Sequence, residues 1–389
     1  MKLIRLFSLL AASPAVYAQV KGTAFGFGAG TTGGGSATPV YPKTNAELVS
    51  YLSDSSARVI MLDRTFDFLQ TEGSTTAQCC SDDRTTKCPG GTSKGQLSIQ
   101  TTCTSGSWEK CTYWNAPRTP LKVGSNKSIV GVGTKGVIRG KGLRLNGGVS
   151  NVIIQNIHIT ELNPQFVWGG DAITLDSCDK VWIDHNKFSL IGRQMIVSGW
   201  GAAGHVTISD NEFDGKTTWS SGCNGKHYWT MLLIGEKDWY TIAGNWFHDV
   251  SGRTPHIGTD RTASKIIVHA VNNYFQNAGG HCFDVDTNTW LLIEGNYFDT
   301  VTTPVTSGSF TAGGQVYFIQ TVDDSSKAQG ALGYIPEWNR LSNSGSVNSL
   351  VSQSAINTLG QYKSNIQWKH WSVADVPTKV KASAGVGKI

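Results

Sequence analysis

Charge is scarce in this chain. Asp, Glu, Lys and Arg together make up 16% of its 389 residues. There is no Lys/Arg-rich run, which argues against a nucleic-acid partner. Past the first twenty residues no apolar stretch is long enough for a membrane helix, so the mature protein is expected to be soluble. The His-Glu-x-x-His zinc motif is missing, and so is the paired Cys-x-x-Cys spacing of many structural zinc sites. Glycine (45 residues) and tryptophan (13) are abundant instead. Many tight turns and little charge suit a rigid extracellular β protein better than a helical one. Aromatic surface beyond the needs of a core often binds sugars or peptides.

The chain opens MKLIRLFSLLAASPAVYAQV. Lys2 and Arg5 precede an apolar run that ends in small residues at Ala18, the pattern of a secretory leader cleaved after residue 18. Without Lys2 and Arg5 the formal charge of +5 falls to +3, which is weak steering at best. Export makes disulfides expected among the eight cysteines. Cys178 and Cys282 sit in strand-like apolar surroundings and read as free core thiols. Cys79, Cys80, Cys88, Cys103, Cys111 and Cys223 remain for up to three bridges, and fifteen pairings stay open. The sequon at Asn126 permits N-glycosylation.

Residues 19–389 read as one domain. TNAELVSYLSD predicts a short helix, with Thr44 and Glu47 spaced as a capping box, and ARVIMLD predicts a strand. The Cys-rich stretch 71–118 shows little periodicity and is expected to be a long stapled loop inserted in the domain. From about 121 to 300 a unit recurs: aliphatic residues, then Asn-x-Phe or a close variant. Its asparagines are Asn156, Asn186, Asn211, Asn245, Asn273 and Asn296, at intervals of 30, 25, 34, 28 and 23 residues. Short strands with little helix between them predict an all-β solenoid in which each interval is one coil. The asparagines are expected to pass amide hydrogen bonds from coil to coil and to supply the left-handed backbone of a tight turn. The Phe two residues on should stack on its neighbours. Variable intervals mean loops of different size, where a site would be built. Segment 301–345 reads as polar loop, VNSLVSQSAINTLG as a helix ending at Gly360, and the basic tail to Ile389 as loosely held.

Several motifs then stand together: WGGDAIT, VWIDH, IGRQ, SGRTP, and CNGKHYW at 223–229. With TGGGSATPVYP and ELVSYL near the start, and SNKSIVGVGTKGVI before the core, the chain resembles the fungal pectin lyases of the pectate lyase superfamily over nearly its whole mature length. IGRQ together with CNG-x-HYW is particular to the pectin lyase branch. The resemblance implies a right-handed, single-stranded parallel β-helix with long loops and short capping helices. It also implies eliminative cleavage of methyl-esterified galacturonan (pectin).

The chemistry of that reaction can be set against the residues. Elimination removes the proton at C5 of a galacturonate and expels the oxygen at C4. A free carboxylate at C6 needs a cation such as Ca²⁺ to neutralise the developing charge. A methyl ester is neutral, and then a base and a hydrogen-bond donor suffice. The stretch Val167–Gly199 holds four carboxylates, Asp171, Asp176, Asp179 and Asp184, a composition that often binds Ca²⁺. The calcium-dependent relatives place a calcium-binding carboxylate where this chain has Arg193. A guanidinium there brings a fixed charge and can pair with Asp171, so no metal and no cofactor is expected. The bland alternative is that Asp171 and Arg193 merely tie two coils together.

The resemblance makes Arg253, in SGRTP, the group that takes the C5 proton. An exposed guanidinium holds its proton too tightly for that, so burial and nearby positive charge must loosen it. Trp168, Tyr228 and Trp229 match cleft aromatics of the family; Trp108 and Trp114 are weaker candidates. The family's pattern has lysine where this chain has His256, with Arg261 or Lys265 available to restore the charge, and some relatives have a tyrosine at Leu232. Asp284 and Asp286 in FDVD resemble a glycosidase pair only in spacing. Three readings compete: a secreted, monomeric, metal-independent pectin lyase; a Ca²⁺-dependent pectate lyase; and a non-catalytic β-helix that binds cell-wall polysaccharide.

Overall fold

The computed structural model describes residues 20–82, 88, 94–311, 313–367 and 370–389; the expected leader lies outside them. The chain winds as a right-handed parallel β-helix with three faces. One face, which will carry the site, stacks Ile196–Ser198, Met231–Leu233, His256–Ile257, His281–Val285 and Thr303–Val305 in parallel. The second stacks Gly204–Ser209, Lys237–Ala243, Lys265–Val271, Thr289–Glu294 and Gln315–Phe318. The third runs from Thr65–Asp67 to Arg340–Ser342. Two long strands, Leu143–Gln155 and Ile173–Asp184, bend across the first and second faces and make them one continuous sheet.

Alternation decides which side chains fill the coil. Ile173, Leu175, Ile196, Met231, Leu233 and Ile257 point inward and are fully buried. Between them, one register row points outward: Lys122, Arg144, Thr174, Val197, Leu232, His256 and Asp284. This row is the floor of the cleft.

The asparagine ladder exists, with a shifted start. Asn186, Asn211, Asn245 and Asn273 each donate side-chain and backbone N–H to the Oδ1 of the next member, at 2.9–3.0 Å. Asn296 passes the same pair to Asn339, a member the sequence pattern did not show. Asn156 is not a rung. Ile157 holds that place in its coil and donates its N–H to Asn186. The left-handed residue of each turn is the one before the rung: Asn156, His185, Asp210, Gly244, Asn272 and Gly295 all have φ between 49° and 66°. Asn156 therefore has the right conformation at the wrong position. Two residues past the rungs, Phe188, Phe213, Phe247, Phe275 and Phe298 stack with centroids 4.5–5.1 Å apart.

The helix Asn45–Ser53 covers one end, burying Leu48 and Leu52. Thr44 caps it as expected, but the Glu47 carboxylate accepts from Lys43 N–H rather than closing the box on Thr44. Three other expectations fail. Segment 71–118 is no open loop: Ser74–Asp82 and Gly106–Trp114 form an antiparallel hairpin, whose solvent-facing polar residues hide its strand period. Segment 301–345 contains the helix Val322–Leu332, begun by a Thr321–Asp324 capping box. The C-terminal tail is pinned, with the helix Val376–Ser383 packed on Tyr274 and the Gly387 N–H bonded to Asn156.

The six expected cysteines pair as Cys79–Cys111, Cys80–Cys103 and Cys88–Cys223, while Cys178 and Cys282 are free and buried. Asn126 is exposed, its Oδ1 accepting from Asn151. Among the described residues no helix is long and apolar enough to cross a membrane.

Candidate active site

The loops that enter the first face carry nearly every residue singled out from the sequence. Trp168 precedes Ile173–Asp184, Arg193 precedes Ile196–Ser198, Tyr228 and Trp229 precede Met231–Leu233, and Arg253 precedes His256–Ile257. Successive coils thus stack these loops along one edge of the floor row.

Asp171 and Arg193 meet, though loosely. Arg193 Nη1 lies 3.6 Å from Asp171 Oδ2, and the other carboxylate oxygen accepts from Gln194 N–H at 2.8 Å. The guanidinium sits over the Trp168 ring, 3.6 Å from its centroid. Trp168 is 48% exposed and lines a cavity together with Asp171 and Arg193. Burial raises the Asp171 pKa against the Arg193 charge, and burial lowers that of Arg193 against Asp171.

The remaining carboxylates of the stretch diverge. Asp176 takes Arg144 and Gly201 N–H, Asp179 takes His205, and Asp184 takes Gln155, Ser209 and His185. Ca²⁺ needs six to eight convergent oxygens. The donors here do not supply them, and the Arg193 charge opposes a divalent cation. Three groups of described residues do bring ligand atoms together; one of them joins Asp184 to His185 and Asp210, and none includes Asp171, Asp176 or Asp179.

Arg253 is a left-handed residue, φ 46°, whose backbone is held on both sides. Its N–H donates to His281 Nε2 at 3.3 Å and its carbonyl accepts from Met231 N–H at 2.7 Å. The side chain lies over Trp229 at 4.8 Å and forms no ion pair with any described carboxylate. Burial lowers its pKa. The Arg193 charge adds to that, while Tyr228 and Asp284 act in the opposite direction.

Tyr228 and Trp229 pack edge to face, 4.8 Å apart. Tyr228 lies against Gly252, where a Cβ would stand 2.4 Å from the ring, so the residue before Arg253 has no room for a side chain. His256 binds Asp284 through Nδ1 at 2.8 Å, and Thr306 takes the other oxygen. That holds the Asp284 pKa down to about 2, with His256 the main cause, the opposite of what a glycosidase acid needs. Neither Arg261 nor Lys265 restores a charge beside His256. Arg261 lies over Trp200 and pairs with Glu236, and Lys265 approaches Trp290. Trp108 is 46% exposed on the hairpin and Trp114 is bonded through its backbone to Asn163; neither lines the cavity beside Trp168.

Three organising residues escaped the sequence reading. Gln96, buried at 1%, donates to the carbonyls of Pro164 and Gly192 and accepts from Trp229 Nε1 and Ser221 Oγ. It ties the Cys-rich segment to the loops of Trp168, Arg193 and Trp229, and the Cys88–Cys223 bridge reinforces that tie. His227 donates through Nε2 to the carbonyls of Arg193 and Trp229 at 2.8 and 3.0 Å. Burial pushes its pKa down to about 4, so it stays neutral. His281 receives the Arg253 N–H. Only the HYW motif pointed at any of them.

The geometry meets its relatives in three comparisons. A family model described as pectate lyase matches residues 2–329. The chain is 64% identical over 373 residues to "Probable pectin lyase E" of Aspergillus fumigatus, covering 96% of each. It is 63% identical over 390 residues to "Probable pectin lyase F-1" of Aspergillus terreus, covering 100% of both. Among solved structures it is similar to the pectate lyase of Acidovorax avenae subsp. citrulli, with a TM-score of 0.59 and 17% identity over 100% of this chain and 99% of that one. It is also similar to a pectate lyase bound to hexasaccharide, with a TM-score of 0.58 and 17% identity over 97% of this chain and 100% of that one. At such identities the structures speak for the fold alone, whereas the sequence matches are close and nearly complete. The chain belongs to the pectate lyase family.

Proposed function

We propose that this chain is a secreted, monomeric pectin lyase that cleaves methyl-esterified galacturonan by β-elimination, without a metal. The observation that carries this reading is the floor between the two arginines. Val197 and Leu232 face the cleft there, each only 7% exposed, and the nearby carboxylates are already engaged, Asp171 by Arg193 and Gln194, Asp284 by His256 and Thr306. An apolar floor suits a neutral methyl ester and offers no ligands for the cation that a free carboxylate would require. Close relatives bearing the pectin lyase name support the same substrate class, and three disulfides suit an exported protein.

In this reading Arg253 removes the C5 proton while Arg193, steadied by Trp168 and Asp171, donates to the enolate-like ester oxygen. The C4–O bond breaks, a C4–C5 double bond forms, and the departing oxygen takes a proton from water, to which the base later returns the C5 proton. Trp168, Tyr228, Trp229 and His256 hold the sugars.

Highly methylated pectin and polygalacturonate, assayed in parallel with and without a chelator, test the proposal. New ultraviolet absorbance from an unsaturated uronide is expected on pectin and is indifferent to chelator. Absorbance mainly on polygalacturonate and abolished by chelator would establish a calcium-dependent pectate lyase instead. No absorbance on either would leave a binding protein.

Asp171→Asn is expected to lower kcat on pectin about tenfold or more, because it removes the charge that orients Arg193 while keeping an acceptor for Gln194 N–H. The thermal midpoint should move little. A large fall in the midpoint together with activity would mark the pair as a structural tie.

A further inference from the structure

The turn that carries Arg253 is tied twice to one residue of the next coil. His281 donates its backbone N–H to the Ser251 carbonyl at 3.3 Å, and its ring Nε2 accepts the Arg253 N–H at 3.3 Å. Ser251, Gly252 and Arg253 are thus gripped at both ends by His281. The grip is close. A Cβ on Gly280 would stand 1.9 Å from the Ser251 carbonyl oxygen, so the two coils touch backbone to backbone beside His281. On the other side Tyr228 lies against Gly252 and meets the His281 ring edge to face at 5.7 Å. An imidazole nitrogen accepts an N–H only while it carries no proton itself, so His281 is neutral here, with its own proton on Nδ1. Burial lowers the His281 pKa. Asp284 opposes that, while His256 and Arg253 act with burial. The other ionisable groups packed around it are committed. Asp284 is bonded to His256 and Thr306, Lys226 beside Gly279 donates to Asn277, and burial raises the Tyr228 pKa and keeps its phenol neutral. His227, on the Tyr228 loop, only donates, so a second proton takes none of its bonds away.

We infer that His281 is a positioning residue for the base and an acid switch on the reaction: neutral, it holds the Arg253 turn in its working place, and protonated it releases that turn. This rests on the proposed reading in which Arg253 takes the C5 proton. Protonation sets the new Nε2–H against the Arg253 N–H, two donors with no acceptor between them, and leaves that N–H unpaired. The imidazolium charge also eases the loss of a proton from the nearby guanidinium. Placement outweighs that gain, since a shift of about 1 Å in a catalytic group can cost on the order of 10² in rate. The sign follows from the neutral form being the active one. The hold is complete at high pH and is lost as pH falls through the lowered His281 pKa.

The pH dependence of kcat on methylated pectin tests this, read only where far-ultraviolet circular dichroism shows the fold intact. A base that must lose one proton gives log kcat against pH a slope of about one below its pKa, and a second inhibitory proton raises the slope to about two. The intact enzyme should show that steepening in acid, below the range of an ordinary histidine. His281→Gln offers an amide oxygen near the Nε2 position that accepts the Arg253 N–H at every pH, so its slope should stay near one. His281→Leu accepts nothing, and its kcat should lie about tenfold or more below that of His281→Gln throughout, with KM little changed. Nitrogen NMR of the intact, histidine-labelled enzyme should find the His281 ring taking up its proton at the pH of the kinetic break. The inference is overturned if the intact enzyme shows no break, if the break persists in His281→Gln, if His281→Leu matches His281→Gln, or if the ring titrates elsewhere. A first slope missing from every form alike would instead overturn Arg253 as the base, so the two failures are distinct.

Discussion

Arg253→Lys is expected to lower kcat on methylated pectin by about 10² or more, the usual scale for positioned general acid–base help. KM should move far less, because Trp168, Tyr228 and Trp229 do the holding and the lost interaction belongs to the transition state. Arg253 occupies a left-handed conformation, as the turn residues of many coils do, and its backbone is fixed by His281 on one side and Met231 on the other. Its guanidinium has an aromatic neighbour in Trp229 and no described carboxylate to neutralise it. Lysine keeps a positive charge but loses the planar fork and changes the reach. An arginine that merely anchors substrate would tolerate lysine, and any damage would appear in KM. A base must also lose its proton before it works. Burial and Arg193 lower the Arg253 pKa, so kcat should rise with pH through the alkaline range until the pH passes that lowered value. A folded Arg253→Lys enzyme with nearly normal kcat would show that this residue is not the base.

How much of this was legible beforehand depended on periodicity. The coils announced themselves because each repeats aliphatic residues and Asn-x-Phe, and stacking makes the repeat a physical necessity. Asn339 was hidden because it lies 43 residues past Asn296, beyond the helix Val322–Leu332, and because Leu341 stands where Phe is usual. Asn156 misled for the opposite reason. Its residue type fits the turn, and only the register, with Ile157 opposite Asn186, reveals that the rung is its neighbour. The site divided in the same way. Asp171, Arg193 and Arg253 stood in motifs whose chemistry could be argued, and the structure brings the first two together. Gln96, His227 and His281 could not be argued, because their work is to bond carbonyls and amides of other loops. A polar residue in an aperiodic loop acquires such a role only when folding brings its partners near. The Cys-rich segment illustrates the point: read as a loop, it supplies Gln96 and one end of the bridge to Cys223.

Removing one rung of the ladder is expected to cost more stability than trimming its aromatic neighbour. Asn245 is fully buried and makes bonds to both adjacent coils. Its Oδ1 accepts two N–H groups of Asn211, and its Nδ2 donates to the Ile208 carbonyl and to Asn273. Asn245→Ala strands the two Asn211 donors and weakens the satisfaction of Ile208 and Asn273. Each buried group left unpaired costs roughly 1–3 kcal/mol, so a loss of about 4 kcal/mol is expected after partial relaxation. Phe247→Leu deletes more apolar surface from the stack between Phe213 and Phe275. Yet it leaves no polar group unpaired and is expected to cost about 1–2 kcal/mol. Guanidinium unfolding, followed in parallel by tryptophan fluorescence and far-ultraviolet circular dichroism, compares the two midpoints. The ladder turns join the second and third faces, away from the cleft, so folded Asn245→Ala should keep its kcat on pectin. If Phe247→Leu proves as damaging as Asn245→Ala, the stacked rings hold the coils together and the asparagines only mark the turns.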